Sequence, residues 1–304
     1  MEKDLVICHT PFQVELILSL VNETVIKNFD FIMISEVDTK QVDYYFNMVS
    51  KIADVCEKKI LSNNARKNVF GLSNELKAKF NYYQYNRTFV ASIDKSYIQL
   101  LISGIRFDSI HTFDDGTANI CKTSALYRPE TLKKKIGLFF FGNRYTRNKI
   151  IRLSSLHYTA YPTYENITKN IKEVNLFCDC KIGQGDSEST NVFIGGVYHE
   201  LSSSKNELVD RINKFFDKPF YYIPHPRDQS TQFDNSVFVD GVEVAERKVI
   251  KLLRKHKSLT LYGFNSTAQL NLNNIELIEN ICFKADLIDG CDAAKLNIFK
   301  EVKL

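Results

Sequence analysis

The sequence predicts an α/β protein of two doubly wound domains, and three observations predict it. Short apolar runs of strand length alternate with longer stretches of helical spacing. The apolar runs are continuous rather than alternating, which marks strands covered on both faces, as in parallel sheets. The pattern occurs twice along 304 residues, a length that suits two domains of roughly 150 residues.

The elements follow in order. Leu5–Cys8 reads as a strand, and Phe12–Val25 has helical length. Phe29–Ser35 is a second buried strand, and Lys40–Cys56 is amphipathic. Ile110–Phe113 is a strand that ends in Asp114-Asp115-Gly116. The second half offers strands at Val174–Cys178, Asn191–Ile194, Pro219–Ile223, Val237–Val239, Ser258–Tyr262 and Ile275–Ile278. Helical patterns lie between several of them, at Glu207–Phe216 and Val242–Lys255. The stretch Ser154–Tyr164 is polar, contains Pro162 and lacks periodicity, so the boundary is placed there. The expected domains are residues 1–155 and 156–304. Gly183–Thr190 reads as a soft loop inside the second.

Composition excludes several classes. With 44% hydrophobic and 25% charged residues the chain is globular, not a disordered tail, a collagen-like fibre or a disulfide miniprotein. Forty Lys and Arg against 36 acids leave +4, too little for a uniformly basic nucleic-acid binder, so no nucleic acid is expected. The seven cysteines are odd in number and form no CxxC pair. Cys178 and Cys180 alone stand close, which suits reduced thiols better than zinc. Glu2, Asp4 and Glu15 interrupt the N-terminal apolar stretch, which argues against an export signal. No run of 18 apolar residues occurs, so no membrane-spanning helix is expected.

Ligands of open α/β sheets bind at the carboxyl ends of strands, so the residues after each strand are the candidates. Thr10 is placed to cap the helix that Pro11 starts, and Thr10 and Gln13 offer hydrogen bonds to a cleft. No dinucleotide or Walker glycine pattern is present. Asp114 and Asp115 precede Gly116, which permits a tight turn. Adjacent carboxylates repel, so the pair is either a capped turn or a general base with a raised pKa. Pro224 and Pro226 stiffen the backbone around His225, and Arg227 follows, a pairing suited to a phosphate. Gly263, then Ser266 and Thr267, form either a simple helix cap or an anion site. No Asp-x-Asp occurs to hold a diphosphate through a divalent ion, so no metal and no cofactor are expected.

Taken in order, ICHTPFQ, FDDGTANI, YIPHPRD and YGFNSTAQL resemble the bacterial lipooligosaccharide sialyltransferases of glycosyltransferase family 52. The resemblance spans about residues 4 to 282. It implies a GT-B fold, two Rossmann-like domains facing a cleft. It also implies CMP-sialic acid as donor and a terminal galactose of lipooligosaccharide or lipopolysaccharide as acceptor. On that resemblance the second domain holds CMP, with Gly263, Pro226 and Arg227 on the donor side. His225 contacts the phosphate and assists its departure, and Ser266 and Thr267 bind the same phosphate. Asp115 is the first candidate for the base, with Asp114 beside it, and Glu200 is the alternative. An in-line attack opposite the leaving phosphate implies inversion at the anomeric carbon.

The net charge is unevenly spread. Residues 119–152 hold nine basic residues and one acid, a net of +8, which leaves −4 for the rest of the +4 chain. The segment also holds Leu138-Phe139-Phe140-Phe141. It is either a solvated helix leading to a buried aromatic run or, over 122–152, a surface for an anionic membrane. The second reading places the protein in the cytoplasm, peripheral on the inner membrane. A homodimer is a further possibility.

Overall fold

Among the described residues, thirteen strands form two separate sheets, and every pairing within them is parallel. The computed structural model describes residues 2–61, 69–177, 185–228, 230–288 and 299–304. Cys178, Cys180 and Cys291 lie outside them, as do Gly183 and Gln184 of the expected soft loop.

The first unit, Met1–Asp179, carries seven strands: β1 (Asp4–Cys8), β2 (Phe29–Ser35), β3 (Cys56–Ile60), β4 (Gln84–Val90), β5 (Arg106–Phe113), β6 (Ser154–Thr159) and β7 (Ile171–Glu173). Its helices are α1 (Pro11–Asn22), α2 (Lys40–Val49), α3 (Val69–Phe80), α4 (Ser96–Ile102), α5 (Leu132–Phe140) and α6 (Arg147–Leu153). The strand order is β3-β2-β1-β4-β5-β6-β7. The order reverses between β1 and β4, so the switch point that favours ligands lies at their carboxyl ends. β1 and β2 are buried at every position, as their continuous apolar runs required. Ile7, Ile32, Leu101 and Ile150 belong to one core cluster.

The second unit, Cys180–Leu304, carries β8 (Thr190–Ile194), β9 (Phe220–Ile223), β10 (Ser236–Phe238), β11 (Leu259–Gly263), β12 (Ile278–Lys284) and β13 (Lys300–Lys303). Its helices are α7 (Tyr198–Leu201), α8 (Lys205–Phe215), α9 (Ala245–Leu253) and α10 (Thr267–Asn271). The order β10-β9-β8-β11-β12-β13 reverses between β8 and β11. The core is aromatic: Phe193, Phe216, Phe220, Tyr222 and Phe283 cluster together. Offset and edge-on ring pairs of this kind add to the area they bury.

Three expectations need correction. The chain divides between residues 179 and 180, not at 155/156, because β6 and β7 extend the first sheet alongside β5. The strand expected at Val174–Cys178 stands earlier, at Ile171–Glu173, paired with β6. The strand expected at Ile275–Ile278 only begins at Ile278 and runs to Lys284. The amphipathic stretch from Lys40 is helical to Val49, and its tail enters β3 at Cys56.

His111 on β5 packs against the rings of Phe89 and Tyr158, which also touch each other, and its buried Nδ1 has no hydrogen-bond partner. Burial and the nearby Arg87 charge push its pKa down to about 4. The unfolded chain therefore binds a proton that the folded chain refuses, so stability is full above the ordinary histidine value and falls as pH drops toward 4. Urea midpoints should decline between pH 6.5 and 4. The substitution His111→Phe, which keeps a ring in the stack, should flatten that decline.

Candidate active site

In the first unit, side chains from three neighbouring strand ends meet at the switch point. Thr10 caps α1 by accepting from the Gln13 backbone N–H at 3.3 Å, with Pro11 in the first helical position, as expected. That cap turns the Gln13 side chain inward, where it is fully buried. Its Oε1 accepts from the His9 backbone N–H at 2.6 Å. Its Nε2 donates to Ser92 Oγ at 2.9 Å and to Asp115 Oδ1 at 2.7 Å. Ser92 Oγ donates to the other Asp115 oxygen at 3.0 Å. The carboxylate is thus held by neutral donors only. Burial and the charge of nearby Asp94 hold Asp115 above the ordinary carboxylate range, against these two hydrogen bonds. A desolvated carboxylate with a raised pKa is equipped to act as a general base.

His9 stands beside this group. Its Nδ1 bonds the Ile34 carbonyl, and the Tyr97 hydroxyl lies 3.1 Å from the same nitrogen. Burial holds His9 below its ordinary pKa, against the Ile34 bond. Gly116 takes φ +56° and starts a short 3-10 turn, Gly116–Asn119. The Asn119 side chain accepts from the Asp115 backbone N–H at 2.6 Å.

Asp114 plays a different part from Asp115. It is fully buried, with Oδ1 bonded to His157 Nε2 at 3.1 Å and Oδ2 accepting from the Ala160 N–H at 2.7 Å. His157 Nδ1 bonds Thr112 Oγ1 at 2.9 Å. Asp114 therefore fastens β5 to β6.

In the second unit the His-Pro loop leaves the end of β9. The Arg227 backbone N–H donates to His225 Nδ1 at 3.1 Å. Nδ1 is therefore the acceptor, and in the neutral ring the hydrogen sits on Nε2. Burial, with Arg227, holds His225 below its ordinary pKa. The Arg227 guanidinium forks Glu200, Nη1 to Oε1 at 2.8 Å and Nη2 to Oε2 at 3.0 Å. Both side chains are about half exposed, 49% and 51%, so the pair exchanges easily for another anion. Pro226, between His225 and Arg227 in sequence, is exposed. Asp228 is buried and accepts from the Tyr198 N–H at 3.2 Å and Thr231 Oγ1 at 2.9 Å. It ties α7, which carries Glu200, to the loop that carries His225.

The late motif is first a cap. Ser266 accepts from the Gln269 N–H at 3.3 Å, and Gln269 Oε1 accepts from the Ser266 N–H at 3.1 Å. Thr267 begins α10. A Cβ on Gly263 would stand 2.6 Å from Gln269 Oε1, so Gly263 makes room for that amide. Asn265 takes φ +60°, a left-handed conformation, at the switch point.

Sequence reading named these residues at separate strand ends; the structure brings Thr10, Gln13, Asp115 and Gly116 to one place, and His225, Arg227 and Glu200 to another. Sequence reading missed Ser92, which follows a strand of mostly polar residues and has φ +50°. It missed Asp228 as an anchor, although the residue stands inside the quoted motif. The pair Gly195-Gly196 after β8 was a visible signal: a Cβ on Gly196 would strike Leu201 at 2.4 Å.

The sequence profile of glycosyltransferase family 52 matches residues 27–287. The chain belongs to glycosyltransferase family 52. It is 30% identical over 310 residues to the CMP-N-acetylneuraminate:beta-galactoside alpha-2,3-sialyltransferase of Pasteurella multocida, covering 98% of this chain and 97% of that protein. It is 32% identical over 280 residues to an N-acetyllactosaminide alpha-2,3-sialyltransferase of Haemophilus influenzae, covering 88% of each. Two crystal structures share the fold at low identity. Arabidopsis thaliana UGT89C1 complexed with UDP-L-rhamnose gives a TM-score of 0.53 at 7% identity, over 94% of this chain and 80% of that one. The glycosyltransferase SnogD of Streptomyces nogalater gives 0.51 at 10%, over 93% and 81%. The family 52 chain is thus a glycosyltransferase of the GT-B class.

Asp114 separates a structural carboxylate from a chemical one. Asp114→Ala leaves buried His157 and the Ala160 N–H without their acceptor, at a cost of about 3 kcal/mol. Urea unfolding should show that loss.

Proposed function

We propose that this family 52 enzyme transfers sialic acid from CMP-sialic acid to the galactose of a β-galactoside. The Pasteurella relative is named for that donor and acceptor, and the Haemophilus relative is named an N-acetyllactosaminide alpha-2,3-sialyltransferase. The acceptor would be lipooligosaccharide or lipopolysaccharide. The observation that carries the chemistry is the His225 ring, whose Nδ1 accepts from the Arg227 N–H so that Nε2 carries the hydrogen.

The reaction breaks the bond from the anomeric carbon to the CMP phosphate oxygen, which keeps the electron pair. His225 Nε2–H donates a hydrogen bond to that oxygen, which leaves as the phosphate monoester dianion of CMP, and Arg227 offsets the phosphate charge. This positive charge, with the Ser266 hydroxyl, takes the place a divalent ion holds elsewhere. The carbon is oxocarbenium-like as the acceptor hydroxyl attacks the opposite face, so configuration inverts. Asp115 takes the hydroxyl proton. Burial raises its pKa above the ordinary carboxylate value, which makes it a stronger base than a solvated carboxylate.

Glu200 is a second reading for the base, favoured by its fork to Arg227 beside His225. An anionic donor competing for Arg227 would release it. Three variants distinguish the readings. His225→Ala should lower kcat about 100-fold or more, while CMP binding by calorimetry persists. Asp115→Asn should do the same, and Glu200→Gln should retain most activity. The opposite ranking of the two acids assigns the base to Glu200. Turnover in excess chelator supports metal independence, and its loss removes that part.

The aromatic run bears on location. No helix among the described residues is long and apolar enough to cross a membrane. Yet α5 buries none of its residues, and Leu132, Ile136, Phe139 (71% exposed) and Phe140 (80%) face solvent. The reading of a buried aromatic run is thereby excluded. Lys133 and Arg144 are exposed beside them, whereas Arg147 is buried on the Ala125 and Arg128 carbonyls. The patch is narrower than 122–152, and it combines apolar reach with positive charge, as an anionic bilayer surface requires. The protein would sit as a peripheral enzyme on the cytoplasmic leaflet. Sedimentation with vesicles containing anionic lipid should fall several-fold for Phe139→Ser with Phe140→Ser. Unchanged sedimentation overturns it, and a shift in oligomeric state instead makes the patch a contact between copies.

A further inference from the structure

The carboxyl ends of β2 and β4 carry a charged pair that the chemistry above leaves unused. Glu36 follows β2 directly, and Lys95 stands at the start of α4, in the turn that opens at Ser92. Lys95 Nζ donates to Glu36 Oε1 at 3.0 Å. The two side chains keep 32% and 30% of their surface. His9 Nε2 lies 3.9 Å from the same Glu36 oxygen. Glu36, Lys95 and Asp115 all act on the charge of the one His9 ring. The pair and the candidate base therefore border the same switch point.

We propose that Glu36 and Lys95 form the subsite that recognises the acceptor sugar, binding a ring hydroxyl next to the one that reacts. The proposal rests on the reading that the first unit takes the acceptor. Chemistry selects the ligand class. The pair is neutral as a whole, and Asp115 and Asp94 stand close by, so the edge repels phosphates and carboxylates. A hydroxyl group both donates and accepts. It can give its hydrogen to Glu36 and take one from Lys95, replacing their direct contact with no charge left unpaired. Such a contact discriminates, because a sugar lacking that hydroxyl forgoes both charge-assisted hydrogen bonds and leaves the pair to its own direct contact. Glu36 and Lys95 are positioning and specificity residues, with no part in bond breaking.

The test measures acceptor and donor KM separately for Glu36→Gln and Lys95→Met, with thermal melting as the check on folding. Acceptor KM should rise at least about tenfold in each, and donor KM should stay within about twofold. A series of β-galactosides, each lacking one ring hydroxyl, identifies the contact. One of them should be a poor acceptor for the wild type, yet no poorer relative to the parent sugar for Glu36→Gln. Binding of the parent galactoside in the presence of CMP, read by ligand-observed NMR, should weaken in parallel. Unchanged acceptor KM, or equal further losses with every deoxy sugar, overturns the subsite while leaving the transferase reading intact. A wild type that neither binds nor turns over any galactoside overturns both.

Discussion

A single buried amide organises the first unit's site. Gln13 has one carbonyl and one NH2 group, and three partners at three different strand ends take them up. The His9 backbone N–H can only donate, so Oε1 must face it. Nε2 is then obliged to face Asp115 and Ser92, and Asp115 is received as an ionised acceptor. Reversing the amide would set like poles together at both ends, which in a fully buried place costs more than a lost hydrogen bond. The position of the carboxylate is therefore dictated by the backbone of β1 and the cap on α1.

The second unit solves the same positioning problem with a charge. Asp228 holds the start of α7 and the His-Pro loop together through a backbone N–H, a hydroxyl and Lys205. Burial works to raise its pKa, but these partners prevail and hold it below its ordinary value. Asp115 and Asp228 thus differ in company rather than in kind. Neutral donors leave the first basic, and a cation with several donors leaves the second inert. The groups exposed beside Asp228 are an imidazole and a guanidinium, suited to an anion. Those beside Asp115 suit a hydroxyl. That division matches a reaction joining an anionic donor to a neutral acceptor.

Legibility in the sequence followed the source of each element's stability. β1, β2 and β8 are held by apolar burial, and their continuous runs made them visible. β6 is Ser-Ser-Leu-His-Tyr-Thr, with His157 and Thr159 fully buried. Its polar groups are satisfied by Asp114, Thr112 and Asn166. Hydropathy counts such residues as solvent-seeking, so the strand read as a linker and the domain boundary moved with it. β4 failed for the same reason, and Ser92 at its end was lost with it. Asp115 and His225 were legible because a turn-forming glycine or proline stands beside each at the end of an apolar run. The Glu200–Arg227 fork joins residues 27 apart in sequence, from α7 to the His-Pro loop. No local pattern announces such a pair.

The basic segment shows why net charge must be located before it is interpreted. Its +8 is a property of the chain, not of a surface. Arg147 is spent inside on two carbonyls, and Lys134 turns toward Glu130 and the Asp94 carbonyl. Gln99 bonds both Glu130 and Asn143, clamping α4 to either end of α5. These polar contacts hold the helix by its ends while its apolar side chains touch nothing that buries them. A helix of nine residues has little stability of its own in water. The Asp94 contact matters further, because residues 92–95 also present Ser92 to Asp115 and Lys95 to Glu36. The segment that carries the exposed phenyl rings and the loop of residues 92–95 are therefore joined by the Lys134 contact to the Asp94 carbonyl. On the proposed function, whatever steadies α5 would steady that loop, linking membrane docking to acceptor positioning.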